Sequence, residues 1–213
     1  MPDLLLIGAS GLAREVASAA DGSAWRVVGI LDDDSALHGS RVGGIDVLGS
    51  IDAAAGAAAA LLVCIGAGSS RRAVVDRLAL LGVDDERYAT FVDVSVRVPS
   101  TVTVGAGSIV LAQSVLTADL TVGRHVVVMP GVVLTHDDVV EDYVTLAAGV
   151  VVGGSAVLRS ASYLGMNSSV RQRTTVGAGA VIGMGAAVLT DVPAGETWVG
   201  VPARPLTTTE RKD

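Results

Sequence analysis

Aliphatic residues recur at every sixth position through the second half of the chain. The series starts at Val92 and ends at Val188. Its other members are Val98, Val104, Val110, Leu116, Val122, Val128, Leu134, Val140, Leu146, Val152, Leu158, Leu164, Val170, Val176 and Ile182. A frame shifted by one residue starts with Asp93 and Pro99 and has no pattern. An amphipathic helix repeats its apolar residues about every 3.6 positions and a half-buried strand every second one, so the sequence indicates neither.

A period of six residues is typical of a parallel β-helix built from hexapeptides. Each hexapeptide would supply a short strand and a turn, and three would complete a triangular coil of about 18 residues. Such coils wind left-handed, an exception to the right-handed rule for parallel crossovers. We therefore predict a left-handed parallel β-helix over residues 91–195. A capping tail over 196–213, which contains Trp198, would cover the strand edges that an open end exposes.

Strands and helices alternate in the first part of the chain. LLLIG at residues 4–8 predicts a buried strand, and GASGLAREVASAA predicts a turn that opens a helix near Ser10. RVVGIL and LLVCIG predict two further strands, the last followed by a helix around residues 69–82. This alternation favours a parallel sheet with a ligand site at the carboxyl ends of its strands. We expect a Rossmann-like α/β domain over residues 1–90.

The residues at this predicted edge leave two interpretations open. They are Gly8, Ser10, Gly11, Asp32 and Gly66. In a nucleotide site, helix N-terminal amides would hold phosphate and an acidic residue after the second strand would bind ribose hydroxyls. The glycine spacing is only G-x-x-G, however, so the dinucleotide fingerprint is absent, and a purely structural turn fits the same residues.

Composition and charge narrow the class of protein. Half of the residues are hydrophobic but only 3% are aromatic, which suits a narrow interior filled by Val, Ala, Leu and Ile. The net charge of -7 disfavours nucleic-acid and anionic-membrane surfaces. Cys64 is the single cysteine, so it has no intramolecular disulfide partner, and no cluster has metal-ligand spacing. Without a signal-like segment or a run long enough to span a membrane, we expect a soluble cytoplasmic protein.

His136 is the candidate for acid–base chemistry. It occupies the third position of its hexapeptide, which predicts an exposed side chain near a corner of the prism. One coil later the same position is Gly154, so space and a backbone amide would lie beside the imidazole. A base of near-neutral pKa and a donor for an oxyanion are what acyl transfer requires, and Asp137 could orient the ring. A surface histidine without function is the competing interpretation.

Asp138 breaks the pattern in a different way. It occupies the fifth hexapeptide position, which elsewhere holds small or branched inward residues. A carboxylate there must be hydrogen-bonded or protonated, or the turn must deviate from the ideal coil. Asp138 could be a second partner of His136 or a tolerated irregularity.

Several motifs together make the chain similar to a known family. They are GASGLAREV near the start, ILDDD after the second strand, LLVCIGAGSSRR, the continuous hexapeptides, the THDD segment and DVPAGETWVGVPARP near the end. With these motifs the chain resembles the NeuD-type, PglD-like sugar acyltransferases, hexapeptide-repeat enzymes that transfer acetyl from acetyl-CoA to a sugar amine or hydroxyl. The resemblance covers nearly the whole chain.

The resemblance implies roles for particular residues. His136 would be the general base and Asp137 the acid that tunes it. The nucleotide-sugar contacts would fall on Ser10, Gly11, Leu12, Asp32, Asp33 and Gly66, with Leu12 standing where many members carry a histidine. CoA would lie between adjacent subunits of a homotrimer. Its contacts would include Thr145, Gly154, Met166, Arg171, Arg173 and Met184. Among these, Thr145 replaces a second family histidine. The two arginines replace a more usual Leu-Pro-Gly type of sequence, so they could meet CoA phosphates or could form a solvated face.

Three functions follow as hypotheses. The first is acetyl-CoA-dependent N-acetylation of a nucleotide-linked (UDP, dTDP or GDP) 4-amino-4,6-dideoxy sugar. The second is O-acetylation of a sialic-acid-like sugar, and the third is a scaffold that has the β-helix but no catalysis. The pairing of His136 with Asp137 favours an enzyme over the scaffold. No metal is required by any of them.

Overall fold

The computed structural model describes residues 1–206, so part of the predicted capping tail, residues 207–213, lies outside the described residues. The first elements are β1 (Asp3–Ile7), α1 (Gly11–Ala19), β2 (Arg26–Leu31), β3 (Arg41–Val42), β4 (Ile45–Gly49), β5 (Ala60–Val63) and α2 (Gly68–Leu80). Their sheet has the order β3-β4-β2-β1-β5 and is parallel except for the β3–β4 pair. The predicted Rossmann-like α/β fold is confirmed for this region.

Short strands follow, and from β7 to β21 they recur at regular six-residue intervals. They are β6 (Phe91–Val92), β7 (Thr103–Val104), β8 (Ile109–Val110), β9 (Val115–Leu116), β10 (Thr121–Val122), β11 (Val127–Val128), β12 (Val133–Leu134), β13 (Val139–Val140), β14 (Thr145–Leu146), β15 (Val151–Val152), β16 (Val157–Leu158), β17 (Tyr163–Leu164), β18 (Ser169–Val170), β19 (Thr175–Val176), β20 (Val181–Ile182) and β21 (Ala187–Val188). The last strands are β22 (Thr197–Val199) and β23 (Arg204–Pro205).

These strands build the three flat faces of a left-handed β-helix. The first face contains β7, β10, β13, β16 and β19, and the third contains β9, β12, β15, β18 and β21. The second face runs from β6 through β8, β11, β14, β17 and β20 to β22 and β23. Every strand from β7 to β21 pairs in parallel with the strand one coil away, so that Val133 lies beside Val151. Residues 18 positions apart are therefore neighbours.

The aliphatic residues of the repeat form the core of the prism. From Val110 to Val188 the members of the series are buried, together with inward residues such as Val126 and Ala156. Trp198 and Ala203 close this core after the last coil. Val98 is the exception, because it is 39% exposed and lies between β6 and β7, outside the strands of the prism.

The α/β region packs against the second face of the prism. Phe91 and Val127 share one buried cluster with residues of α1 and of the α/β sheet. Val127 points outward from the prism but is only 1% exposed, because the α/β region covers it. At the corner between the first and second faces, a Cβ on Gly68 would overlap the carbonyl oxygen of Tyr143, so the start of α2 needs a glycine there.

Arg71 is the main polar connection between the two regions. Its guanidinium is fully buried and donates to the carbonyls of Ile65 and Gly66 in the α/β region. It also donates to β-helix oxygens, those of the His125, Tyr143 and Val144 carbonyls and of the Thr145 hydroxyl. All of these acceptors are neutral. Because a buried cation without such partners would be very costly, the contacts fix how the two regions meet.

His125 lies in the same interface. Its ring stacks on Tyr143, with an interplanar angle of 7°, and meets Tyr88 edge-on at a centroid distance of 4.7 Å. The side chain is fully buried, and among residues 1–206 neither ring nitrogen has a hydrogen-bond partner. Burial, with the nearby cations Arg124 and Arg71, lowers the pKa of His125 to about 4. The ring is therefore neutral in the folded protein.

Candidate active site

His136 and Asp137 lie on the corner between the third and first faces, which we call the active-site corner (residues 117–119, 135–137, 153–155, 171–173 and 189–191). The side chain of His136 is 66% exposed, and its Nδ1 lies 2.7 Å from Asp137 Oδ2. A carboxylate at that nitrogen favours the tautomer with the proton on Nδ1, which leaves Nε2 with a free lone pair. Asp137 reaches this position because its backbone has a φ of 61°.

Gly154 lies directly against the imidazole. A Cβ built on Gly154 would be 2.5 Å from Nε2 of His136, so every residue with a side chain would push the ring away. The two turns are joined by the amide of Ser155, which donates to the His136 carbonyl at 2.9 Å. Within residues 1–206, the Gly154 amide donates to no protein acceptor. The arrangement therefore places a basic nitrogen and an unused N–H donor side by side.

Asp138 is buried beneath the active-site corner. Its Oδ2 accepts from the Thr135 amide at 2.8 Å, and its Oδ1 accepts from the Ala156 amide at 3.0 Å. Burial raises the pKa of Asp138 to about 6, against the effect of these two hydrogen bonds and of the His136 charge, which lower it. The side chain of Asp138 is therefore hydrogen-bonded, which is one of the alternatives that the sequence left open for a carboxyl group at an inward position.

A groove runs along the active-site corner. A cavity of about 520 Å³ is lined by Thr135, His136, Gly153, Gly154, Ser155, Gln172 and Arg173. The next cavity shares Gln172 and Arg173 with it and adds Arg171 and residues 189–191. Arg171 and Arg173 are both exposed, so they place positive charge along this groove next to the histidine.

The predicted nucleotide residues meet at the carboxyl edge of the α/β sheet. Ser10 caps α1 by accepting from the Ala13 amide, and its hydroxyl donates to the Cys64 carbonyl. Asp32 accepts from the Ala9 amide at 2.6 Å, so its carboxylate organises the turn before α1. Gly11 and Gly66 are both exposed at this edge.

Asp33 is held by a cation from α2. Arg77 Nη1 lies 2.6 Å from Asp33 Oδ2, and Arg77 also bonds Asp52. The hydrogen bond from Arg77 is the main reason why the pKa of Asp33 is lowered. Both side chains are more than a third exposed, so this pair orders the edge without adding much stability.

Two of the predicted contact residues, Leu12 and Thr145, are buried. The side chain of Leu12 is 7% exposed and packs in the α/β core, because it faces inward on α1. Thr145 is 4% exposed, and its hydroxyl donates to the Gly66 carbonyl and accepts from Arg71. Thr145 points outward from the prism into the interface with the α/β region.

Met166 and Met184 are exposed but lie at a different corner from His136. They follow β17 and β20, so they occupy the corner between the second and third faces. The α/β region covers the second face, which is opposite the active-site corner. One chain therefore does not bring together His136, the two methionines and the nucleotide edge.

The sequence did not reveal the roles of Arg71 and His125. Both depend on which outward face the α/β region covers, and the hexapeptide period is the same for all three faces.

Across the described residues, no group of three or more His, Cys, Asp or Glu side chains is arranged to hold a metal ion. Neither α1 nor α2, nor any other helix within residues 1–206, is long and apolar enough for a membrane crossing.

Comparisons with known proteins agree with this architecture. The PglD N-terminal domain family model matches residues 3–78. The acetyltransferase domain of PglB from Neisseria gonorrhoeae, solved in complex with acetyl coenzyme A, is 30% identical, with 96% of this chain and 99% of that one covered and a TM-score of 0.86. A variant of perosamine N-acetyltransferase from Caulobacter crescentus, solved with CoA and GDP-perosamine, has the same fold at 24% identity, with 97% and 98% coverage and a TM-score of 0.88.

A curated relative matches over a shorter stretch. UDP-3-O-acylglucosamine N-acyltransferase of Caulobacter sp. (strain K31) is 51% identical over 53 residues, which are 25% of this chain and 16% of that protein. The full-length match to the PglB domain carries more weight, since it spans both regions. The chain belongs to the PglD-like family of hexapeptide-repeat, acetyl-CoA-dependent sugar acyltransferases.

Proposed function

We propose that the protein transfers the acetyl group of acetyl-CoA to the amino group of a nucleotide-linked 4-amino-4,6-dideoxy sugar, with His136 as general base. The observation that carries the proposal is the contact between the His136 ring and Gly154. It sets a basic nitrogen beside an unused amide donor in an open groove. The relatives solved with acetyl coenzyme A and with CoA and GDP-perosamine support both substrates.

His136 acts through Nε2 in this mechanism. The proton on Nδ1 is held by Asp137, so Nε2 accepts a proton from the sugar amine as the nitrogen attacks the thioester carbonyl. A carbon–nitrogen bond forms, and the carbonyl oxygen takes up negative charge. When the carbon–sulfur bond breaks, the CoA thiolate leaves and receives the proton from Nε2. Asp137 stabilises the imidazolium that exists between the two transfers.

Gly154 supplies the donor for the developing negative charge. Its N–H has no acceptor among residues 1–206, so binding of an oxyanion disrupts no existing hydrogen bond. A preorganised donor of this kind contributes on the order of 10²–10³ in rate where it has been removed from other enzymes. Glycine is needed here because a side chain would displace the base itself.

CoA lies along the groove of the active-site corner. Arg171 and Arg173 extend that groove away from His136 and meet the CoA phosphates, since guanidinium groups bind phosphate through paired N–H donors. Met166 and Met184 contact the same CoA from a neighbouring subunit, because in their own chain they occupy another corner.

The nucleotide binds at the carboxyl edge of the α/β sheet. The exposed N-terminus of α1 at Gly11 attracts phosphate, while Asp32, Asp33 and Gly66 border the nucleoside. That edge lies on the covered side of the prism, away from His136 of the same chain. A homotrimer resolves this separation, because each nucleotide edge then serves the His136 of an adjacent subunit.

The test measures acetyl transfer to a panel of UDP-, dTDP- and GDP-linked 4-amino sugars, with the 4-hydroxy sugars as controls. The reaction is detected by thiol release, and the products are identified by mass spectrometry. We expect one acetyl group on one amino sugar and a loss of about 10²–10⁴-fold in His136→Ala. Asp119→Asn, one coil before Asp137 on the same corner, is the matched control and should retain full activity.

Other outcomes would identify the competing functions. Acetylation of the hydroxy sugars alone would replace the proposal by O-acetylation. If acetyl-CoA fails to raise the melting temperature and nothing is acetylated, the protein is a scaffold. Full activity in His136→Ala would remove that residue as the base.

The shared site has its own test. Light scattering should give the mass of a trimer. Subunits with His136→Ala and subunits with Asp33→Ala, each inactive alone, should regain part of the activity when they are mixed, unfolded and refolded together. Absence of any recovery in trimers shown to be mixed would place the whole site within one chain.

A further inference from the structure

Asp138 accepts hydrogen bonds from the backbone just before His136 in one coil and just after Gly154 in the next coil. Its Oδ2 accepts from the amide of Thr135, which starts the turn that carries the histidine. Its Oδ1 accepts from the amide of Ala156, two residues after Gly154 in the next coil. The side chain is 1% exposed, so these bonds are shielded from water.

Two serines, Ser108 and Ser114, bridge neighbouring coils from the same hexapeptide position and provide a comparison. Ser108 also points inward, and its hydroxyl accepts from the Val126 amide, 18 positions further on. This contact corresponds to the bond from Asp138 to Ala156. The Ser108 hydroxyl makes no bond to the turn that precedes it and donates to the Gly123 carbonyl instead. The Ser114 hydroxyl bonds to the preceding turn and to the next coil, but as a donor to the Leu111 and Met129 carbonyls. Only Asp138 among the three accepts from an amide of the preceding turn and from an amide of the next coil.

A carboxylate is suited to accept both bonds at once, because it offers a separate oxygen to each amide. Two N–H donors point at two different oxygens, and each oxygen accepts. An asparagine at this position would present an NH₂ group to one of the two donors, and a serine has a single oxygen. A charged side chain in an aliphatic core is costly, and a structural bridge alone is available from serine, as Ser108 demonstrates.

We propose that Asp138 is a positioning residue for acyl transfer, which holds the turn of His136 closed and in register with the turn of Gly154. The inference rests on the proposed function, in which these two groups act on the same thioester. The bond to Thr135 closes the turn in which Asp137 adopts its positive φ, and so it fixes the direction of the imidazole. The bond to Ala156 fixes the distance to the next coil.

The experiment compares three variants with the wild type. Asp138→Ser keeps an acceptor for Ala156 but removes the bond to Thr135, and Asp138→Asn keeps the shape but satisfies one donor only. Ser108→Ala removes a coil-to-coil bond far from the histidine and is the control for stability. For each protein, kcat, the KM for acetyl-CoA and the melting temperature are measured with the amino sugar that the panel identifies.

We expect both Asp138 variants to lose about tenfold to hundredfold in kcat, because small displacements of reacting groups have effects of that size. The KM for acetyl-CoA should change less than twofold, and Ser108→Ala should retain the wild-type kcat. If Asp138→Ser keeps the wild-type kcat, or if all three variants lose activity in proportion to their melting temperatures, Asp138 has only a structural role.

A crystal structure of Asp138→Ser separates this inference from the proposed function. A His136 ring displaced from Gly154, with the coils otherwise unchanged, supports the positioning role even if no panel sugar is acetylated. A ring that keeps its contact with Gly154 overturns that role, whatever the panel shows. If a variant does not fold, the other one is used for both measurements.

Discussion

His125 should make the stability of the protein depend on pH. Its pKa is lowered to about 4 in the folded chain, whereas an unfolded histidine has a pKa near 6.5. Between these values the unfolded chain binds a proton that the folded chain does not bind. The contribution of His125 is therefore fully present above the unfolded pKa and is lost as the pH falls towards 4.

The size of the effect follows from the two pKa values. At pH 7 about three quarters of the unfolded molecules carry a neutral ring, and the linkage amounts to only about 0.2 kcal/mol. At pH 5 the unfolded ring is almost fully charged while the folded ring remains neutral, which lowers the free energy of unfolding by about 2 kcal/mol. The physical cause is burial between Tyr88 and Tyr143, where a charge would have no water and no acceptor.

His125→Phe tests this reasoning, since phenylalanine fills a similar space and does not titrate. His125 has a φ of 51°, a region in which histidine is several-fold enriched over most residues, so the variant should carry a pH-independent cost of up to about 1 kcal/mol. Urea unfolding at one protein concentration is followed from pH 7 to pH 5 in the wild type, in His125→Phe and in His38→Gln, a control at an exposed histidine.

We expect the fall in stability between these pH values to be about 2 kcal/mol smaller in His125→Phe than in the other two proteins. Equal falls in all three proteins would mean that the buried ring is protonated in the folded state or is hydrated, and the argument from burial would be refuted.

Three further predictions concern the interface and the candidate site. Arg71→Met should lower the free energy of unfolding by about 3–5 kcal/mol in urea titrations, because it leaves buried carbonyl groups without donors, whereas Arg72→Met at the exposed neighbour should change it much less. Gly154→Ala should reduce kcat by about 10²-fold while the melting temperature changes little, since its methyl group displaces the ring of His136; an unchanged kcat would contradict the role of this contact. Asp137→Asn should lower kcat by at least about tenfold and leave the KM for acetyl-CoA unchanged, and steady-state kinetics that show the reverse would assign Asp137 to binding.

The hexapeptide period was sufficient to predict the β-helix and most of its core. Inward positions such as Leu134 and Val152 are set by the chain's own repeat, so they need no knowledge of what surrounds the prism. The position of Gly154 beside His136 followed from the same 18-residue spacing between coils. Both predictions use only the fact that residues one coil apart are neighbours.

Predictions about outward positions were less successful, because what covers a face is decided by another region of the chain. Val127 and Val151 occupy equivalent outward positions, yet one is buried and the other is 45% exposed. Thr145 was predicted to contact CoA, and only the packing of α2 reveals that its hydroxyl bonds to Gly66 and Arg71. The inward direction of Leu12 could not be predicted for a similar reason, since a family position does not specify the direction of a side chain.

The strand β6 has a consequence for how the protein is made on the ribosome. It is the first strand of the second face, it pairs with β8, and Phe91 within it is buried against the α/β region. All strands of the α/β sheet precede β6 in the chain, so that sheet can fold before any coil has emerged. Each later coil contacts mainly the one before it, and it can be added as soon as its residues leave the exit tunnel. The folded α/β region therefore provides the surface against which the first coils pack during synthesis. A destabilising substitution in β6 should reduce the yield of folded protein more than an equally destabilising substitution in β20.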